Sequence, residues 1–376
     1  MTASKLISIV LPCRNEEQAV AHCLQEVERV IKTSNLNAEV IVSDSSQDKS
    51  PMIAREFGVN LVSHQKEGYG AAYFEGFKAA KGEYIFLADC DGTYDFAELP
   101  KFISYLDQGY DFVIGDRFLG NIEKGAMPWL HRYIGSPLLS LIFSFLFWKK
   151  IGDINCGMRA LTKEALSSLK LRTTGMEFAS EMVIKASRQN LKIKETPINY
   201  FRRQGKSKLR SFADGWRHLR FMLLYSPWFL FLVPGSILFL VGLILFLILL
   251  FQPAIWGLKF YYHPMFLASA LVITGYQLII FSVFAKTYAI THLGEQSVIL
   301  GRLHKFLTIE KASLFGLGLG FLGLLIYGYI FYHWVKSGFG PLAQVQNSVI
   351  ALTLIVFSLQ TIFSSFMLSI LGIKEE

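Results

Sequence analysis

Four cysteines in 376 residues, Cys13, Cys23, Cys90 and Cys156, show no C-x-x-C spacing. That excludes a disulfide scaffold or zinc ribbon as the organising device, and the four read as reduced structural thiols. Cys90 has no paired histidine in view and reads as a small strand-end residue. The eight histidines form no ligand cluster. No basic n-region, apolar h-region and cleavage site opens the chain, so its first half is expected to stay on the side where it is made. Charge is scarce beyond residue 226, and no nucleic-acid reader motif accompanies the net charge of +8, so nucleic acid is not the expected partner.

What is present divides the chain in two. It is 52% hydrophobic yet 18% charged, and mean hydropathy is +0.38. Four apolar runs, Phe229–Phe251, Pro264–Ala285, Leu314–Val335 and Val349–Leu371, are each long enough to cross about 30 Å of hydrocarbon as a helix. Lysine and arginine gather before the first run (Arg202, Arg203, Lys206, Lys208, Arg210, Arg217, Arg220) and between the second and third (Lys286, Arg302, Lys305, Lys311). The positive-inside rule makes those sides cytoplasmic, both termini included, and the expected setting is a multi-pass protein of a prokaryotic-type inner or cell membrane. The expected organisation is a cytosolic domain over 1–210, an amphipathic interfacial helix over 211–228 and a four-helix transmembrane domain over 229–376.

The first half alternates strand and helix, which predicts a mainly parallel α/β sheet with ligands at the C-terminal ends of its strands. The stretch 81–96, KGEYIFLADCDGTYDF, places a buried strand (Tyr84–Ala88) directly before Asp89-Cys90-Asp91. Two carboxylates one residue apart at a strand end suit Mg2+ or Mn2+ with open positions for substrate phosphates; plain turn or cap chemistry is the other reading. The first strand ends at Pro12 and a helix carries Val20, Leu24, Val27 and Ile31. Asp44, at the next strand end, suits a nucleobase N–H or a helix N-cap. Gly68 and Gly70 suit close approach to a sugar phosphate, or mere flexibility. Asp95 is a site carboxylate or a cap for the helix at Leu99–Leu106, the cap being favoured.

Pro137–Trp148 is too short to span and suits an interfacial helix near 137–150, anchored by Lys149 and Lys150. In Ser211–Ser226 the apolar Phe212, Trp216, Leu219 and Leu223 form one stripe. For both segments ordinary core burial is the alternative. Glu177 and Glu181, at i and i+4, suit a general base with its support or a sugar pocket; alternatively they pair with Lys185 or Arg188 on a solvated face. Asn155–Arg159 reads as a site-lining loop. Gly316 and Gly320 have small-xxx-small spacing, suited to helix packing within the chain or between copies in a homo-oligomer.

Leu11–Glu17, the turn around Asp44, Asp89-Cys90-Asp91 and Ile114-Gly115-Asp116-Arg117 together resemble the family 2 glycosyltransferases of GT-A fold. More narrowly they resemble the polyprenyl-phosphate group, similar to dolichyl-phosphate mannose synthase, with C-terminal transmembrane helices. The likeness covers roughly 5–225 by motif and the rest by architecture. It implies nucleotide binding by Pro12, Asn15, Glu16, Glu17, Asp44 and Asp89, to which the G-x-G reading adds Gly70, and metal binding by Asp89 and Asp91. It also implies acceptor-phosphate binding by Arg117, Arg132, Ser136 and Arg202 or Arg203. Ser43 departs from a common Asp-Asp pair, and Thr93 stands where many relatives carry glutamine.

The activity expected is inverting, metal-dependent transfer of one hexose from a nucleotide sugar, UDP-glucose or GDP-mannose in type, to a polyprenyl (undecaprenyl or dolichyl) phosphate at the bilayer. Asp91, Arg117 and Glu177 are the candidate catalytic residues. The phosphate acceptor is already ionised at neutral pH, so position and charge carry most of the catalysis. The alternatives are a processive polysaccharide synthase, against which no Q-x-x-R-W motif and no span before the catalytic domain are found, and a non-enzymatic component of lipid-linked sugar export.

Overall fold

The computed structural model describes residues 5–205, 211–251, 254–255, 258–259, 262–292 and 309–372. Its contacts divide the chain into two compact units, Met1–Tyr225 and Ser226–Glu376. Of the basic residues above, Lys206, Lys208, Arg210, Arg302 and Lys305 lie outside the described residues, as does half of the loop between the first two apolar runs.

The first unit is built on a seven-stranded sheet. Within it β1 (Ile7–Cys13) pairs in parallel with β2 (Ala38–Asp44) and with β4 (Tyr84–Leu87). Beyond β2 lies β3 (Asn60–Ser63), also parallel. On the other side β6 (Arg159–Thr162) enters antiparallel between β4 and β5 (Phe112–Asp116), and β7 (Ile193–Pro197) runs parallel to β5. The sheet is therefore mainly parallel, as the sequence predicts, with β6 as the inserted exception. The buried runs Ile7–Leu11 of β1 and Tyr84–Leu87 of β4 suit interior strands of a mainly parallel sheet.

Pro12 does not end β1; it pairs with Ser43 inside the strand. The Cys13 carbonyl accepts from the Ser45 amide, so Cys13 faces β2 and Pro12 faces the opposite side. There the ladder to β4 has already stopped at Val10. A missing N–H costs nothing at that point.

Helix α1 (Val20–Thr33) buries Val20, Cys23, Leu24, Val27 and Val30; Val30 rather than Ile31 completes its inward face. After it come α2 (Ser50–Glu56), α3 (Tyr69–Ala79) and α4 (Leu99–Asp107). Then follow α5 (Ser136–Phe147), α6 (Lys163–Leu169), α7 (Phe178–Arg188) and α8 (Ser211–Leu224). Helix α5 is apolar on both faces: Phe143 and Leu146 are buried, whereas Leu138, Leu141, Phe145 and Trp148 are exposed. On α8 the expected stripe splits, with Phe212 and Trp216 exposed and the docking face supplied by His218 and Met222.

In the second unit α9 (Val233–Leu250), α10 (His263–His292), α11 (Ile309–Lys336) and α12 (Val345–Gly372) follow in order. Four helices among the described residues, Trp228–Leu250, His263–Thr291, Ile309–Lys336 and Val345–Gly372, are long and apolar enough to cross a membrane. Gly316 and Gly320 pack within the chain: a Cβ on Gly320 would come within 2.6 Å of Ser358 Oγ on α12, and one on Gly316 within 2.7 Å of Ile362.

Candidate active site

The C-terminal ends of the parallel strands bring the acidic turns together. At the end of β4, Asp91 is buried, and its Oδ1 accepts from the Thr93 amide (3.1 Å) and hydroxyl (2.5 Å). Thr93 thus holds the carboxylate rather than reaching past it. Asp89 Oδ1 is buried without a partner. Burial, followed by the nearby Asp91 charge, pushes the Asp89 carboxyl up to about 7. A bound cation would favour the ionised form, and with the partnerless Asp89 oxygen the pair fits a hard divalent metal, with remaining positions left to phosphate and water. No group of three or more metal-ligating side chains occurs among the described residues. Asp95 caps the short turn Phe96–Glu98, accepting from the Ala97 amide at 3.0 Å, and so plays its cap role just ahead of α4.

Opposite this turn runs the segment after β7. The Phe201 amide donates to the Thr93 carbonyl (2.9 Å) and the Gln204 amide to the Asp91 carbonyl (3.0 Å). The two neighbouring arginines then diverge. Arg203 reaches into the site, with Nη1 2.6 Å from Asp91 Oδ2 and Nη2 bonded to Glu16 Oε1. Arg202 turns outward to the Lys124 carbonyl at 2.8 Å.

The loops after β1 and β2 are laced together. Asn15 takes a left-handed φ of 52°, its amide donates to Ser46 Oγ, and its Oδ1 accepts from the Gln47 amide, both at 2.7 Å. The amides of Glu16 and Glu17 donate to Ser50 Oγ and Asp48 Oδ2. Asp48, not Asp44, accepts from the amide that opens α2. Asp44 keeps one buried oxygen, Oδ1, without a partner. Asn15, Glu16, Glu17, Gln18, Gln47, Asp48, Gln204 and Gly205 line a cleft of about 490 Å³.

Gly70 has a packing explanation. A Cβ there would lie 2.2 Å from the Thr173 carbonyl oxygen, and its amide donates to the Gly175 carbonyl at 3.3 Å. That strap is held by Glu181, fully buried, whose carboxylate accepts from the Arg172 and Thr173 amides and the Thr173 hydroxyl and pairs with Lys185 at 2.7 Å. The Glu181–Lys185 pairing is therefore interior, not on a solvated face. Glu177, at the start of α7, keeps a buried Oε2 without a partner.

Arg117 follows β5 and is buried in a two-bonded pair with Asp153, Nε at 2.6 Å and Nη2 at 2.9 Å, with the Tyr200 ring 5.1 Å from its guanidinium carbon. Arg132 lies in a π-helical turn, His131–Gly135, that leads into α5, and Ser136 is buried at the start of that helix. The Arg132 guanidinium lies 5.5 Å from the Tyr133 ring.

Cys13, Cys23 and Cys90 are free and buried. The neighbouring Cys13 and Cys23 thiols, together with burial, hold the Cys90 thiol well above its ordinary range, which fits an unreactive structural role.

Two residues, Asp153 and His218, escape sequence reasoning, and Arg159 was read only as part of a site-lining loop. Asp153, in an unremarkable G-D-I turn, offers no spacing signal toward Arg117. Arg159 ties the 154–156 loop to α7 by donating to the Ile154, Cys156 and Ala179 carbonyls, each at 2.7 Å. His218 Nδ1 lies 2.7 Å from Ser180 Oγ and docks α8 on α7. Its interruption of an apolar stripe was the available signal.

Eight buried side-chain nitrogens and oxygens among the described residues lack a partner, and five belong to Asp44, Asp89, Asn155, Glu177 and Arg203. All five residues were picked out from sequence as lining this site. Such atoms cost about 1–3 kcal/mol each when left dry, so their clustering on site residues points to a polar ligand.

Comparison with known proteins bears on the family of the chain. The family model described as glycosyl transferase family 2 matches residues 8–170, and that of the glycosyltransferase family 2 C-terminal transmembrane region matches 283–372. The low-salt glycan biosynthesis hexosyltransferase Agl6 of Haloferax volcanii is 35% identical over 97% of this chain and 89% of its own. A dolichyl-phosphate hexose transferase of the same organism is 35% identical over 56% of this chain and 89% of its own. A crystal structure of glucosyl-3-phosphoglycerate synthase from Mycobacterium tuberculosis aligns with a TM-score of 0.49 at 20% identity, over 60% of this chain and 81% of that one. With the Agl6 relative matched along nearly its whole length and four apolar helices following the sheet domain in sequence, the chain belongs to glycosyltransferase family 2 and is a membrane-associated glycosyltransferase.

Proposed function

We propose that the protein transfers one hexose, with inversion, from a nucleotide sugar to a polyprenyl phosphate at the cytoplasmic face of a membrane. The observation that carries this reading is the set of partnerless buried polar atoms on Asp44, Asp89, Asn155, Glu177 and Arg203. The free Asp44 oxygen suits a base N–H, and the Asn15–Gln18 loop suits the rest of the nucleotide. Asp89 and Asp91 would hold Mg2+ or Mn2+, which when bound neutralises the leaving diphosphate. Asp153 fixes the Arg117 fork, and Arg117, Arg132, Ser136 and Arg203 are the groups suited to orient an acceptor phosphate. That phosphate attacks the anomeric carbon as an anion, so no strong base is required.

The exposed Leu138, Leu141, Phe145 and Trp148 on α5, followed by Lys149 and Lys150, suit the bilayer interface where such an acceptor resides. The basic residues flanking the spans in the sequence support a cytoplasmic placement of the site and both termini.

The test is transfer of label from a panel of UDP- and GDP-sugars to undecaprenyl phosphate by the purified full-length protein with Mg2+ or Mn2+, read by extraction into organic solvent. Metal-dependent labelled lipid from one donor is expected. Aqueous polymer without labelled lipid would replace this reading with a processive synthase, and no turnover with any donor would remove the enzymatic reading of this substrate pair.

A further inference from the structure

Arg203 stands where a cation is wanted. Its side chain joins Asp91 Oδ2 (2.6 Å) to Glu16 Oε1, bridging the ends of β4 and β1. The fit is partial, because Arg203 Nε is buried with no partner. Arg117 offers the contrast: its Nε and Nη2 both close on a single carboxylate, that of Asp153. The Arg203 segment is also secured without its side chain, through the backbone bonds from Phe201 to Thr93 and from Gln204 to Asp91. The guanidinium can therefore leave the carboxylates while the segment stays seated.

We propose that Arg203 is a resident counter-cation that competes with the divalent metal for Asp91, so that loading of metal and donor releases this guanidinium to the acceptor phosphate. The inference rests on the metal-dependent transfer reading above. It gives the reaction an order: the acceptor's arginine becomes available only once the donor side is filled. It also holds affinity for metal alone low, which favours the metal arriving together with the nucleotide's own phosphates.

The test is a titration of Mn2+ into full-length, detergent-solubilised protein without nucleotide, following free Mn2+ by electron paramagnetic resonance. Arg203→Gln is expected to bind Mn2+ about tenfold more tightly than the wild type, the worth of one charge-assisted hydrogen bond. Asp91→Asn is expected to lose the binding. Arg203→Lys, which keeps the charge but not the two-carboxylate bridge, is expected to fall between wild type and Arg203→Gln. Equal or weaker binding by Arg203→Gln, with wild type still binding through Asp91, would overturn the competition and leave the metal site standing. If Arg203→Gln does not fold, wild-type-like affinity in Arg203→Lys would overturn it. Absence of Mn2+ binding in wild type and variants alike would overturn both the competition and the metal reading.

Discussion

Buried polar groups meet opposite treatment in the two units. Among the apolar helices they find each other: Ser269 with Thr353 at 2.6 Å, Tyr276 with Thr361 at 2.7 Å, Gln360 with Gln277 at 2.9 Å. Only Gln360 Oε1 in that unit is a buried polar side-chain atom without a partner among the described residues. At the sheet edge, five residues of the candidate site each keep one such atom. Hydrocarbon offers no alternative partner, so the helices must satisfy their own polar groups. The sheet edge leaves that to a ligand. Within the edge itself Arg117–Asp153 is closed and Asp89 is open, which separates groups that build the site from groups that wait for something.

The sharpest break of this comparison is Asp91→Asn. It should cost about a hundred- to a thousandfold in transfer rate, measured by the lipid-extraction assay, while the melting profile stays near wild type. Asp153→Ala should instead act first on stability. It strands a buried guanidinium and should destabilise the protein by about 3–5 kcal/mol in denaturant unfolding, whereas a paired Arg117→Met/Asp153→Leu change should recover much of that stability without activity.

A third effect depends on pH. Burial, aided by Arg159 and opposed by Asp214 and Glu177, pushes His218 down to about 4. The folded protein therefore keeps it neutral while the unfolded chain takes a proton near pH 6.5. Its contribution is fully present above that pH and is lost as pH falls toward 4, by up to roughly 3 kcal/mol. Melting temperature followed from pH 7 to 4 should fall, and His218→Gln should flatten that slope. The smallest effect belongs to the helices: Ser269→Ala should cost only about 0.6 kcal/mol in thermal unfolding, since a single polar pair between spans is worth little.

Much of the site was legible because acidic and hydroxyl-rich turns follow apolar runs, a pattern that marks the C-terminal ends of parallel strands. Asp44, Asp89 and Asp91 were visible for that reason. The four apolar helices were visible from length and hydropathy, although the structure extends the second to fourth beyond their apolar cores. The antiparallel β6 was not legible, because Arg159–Thr162 is four residues long and begins with a buried charge. The roles of Arg202 and Arg203 could not be divided either, since adjacent residues on an extended segment point opposite ways and only the backbone pairing decides which way is in. Gly70 and Glu181 read as site chemistry, but the structure gives each a packing or bracing task. Long-range contact through a strap such as 172–175 leaves no periodic mark.

The inserted strand has a consequence for how the protein assembles during synthesis. β4 and β5 are successive in the chain but are separated by β6 in the sheet. Until Thr162 has emerged, the flank of β4 that β6 will pair is an open edge with unpaired backbone groups, and β5 has nothing to lie against on that side. A nascent chain ending at Trp148 would expose both that edge and the apolar face of α5. It should be prone to aggregation or chaperone capture, whereas one reaching Pro197 has the material to close the sheet.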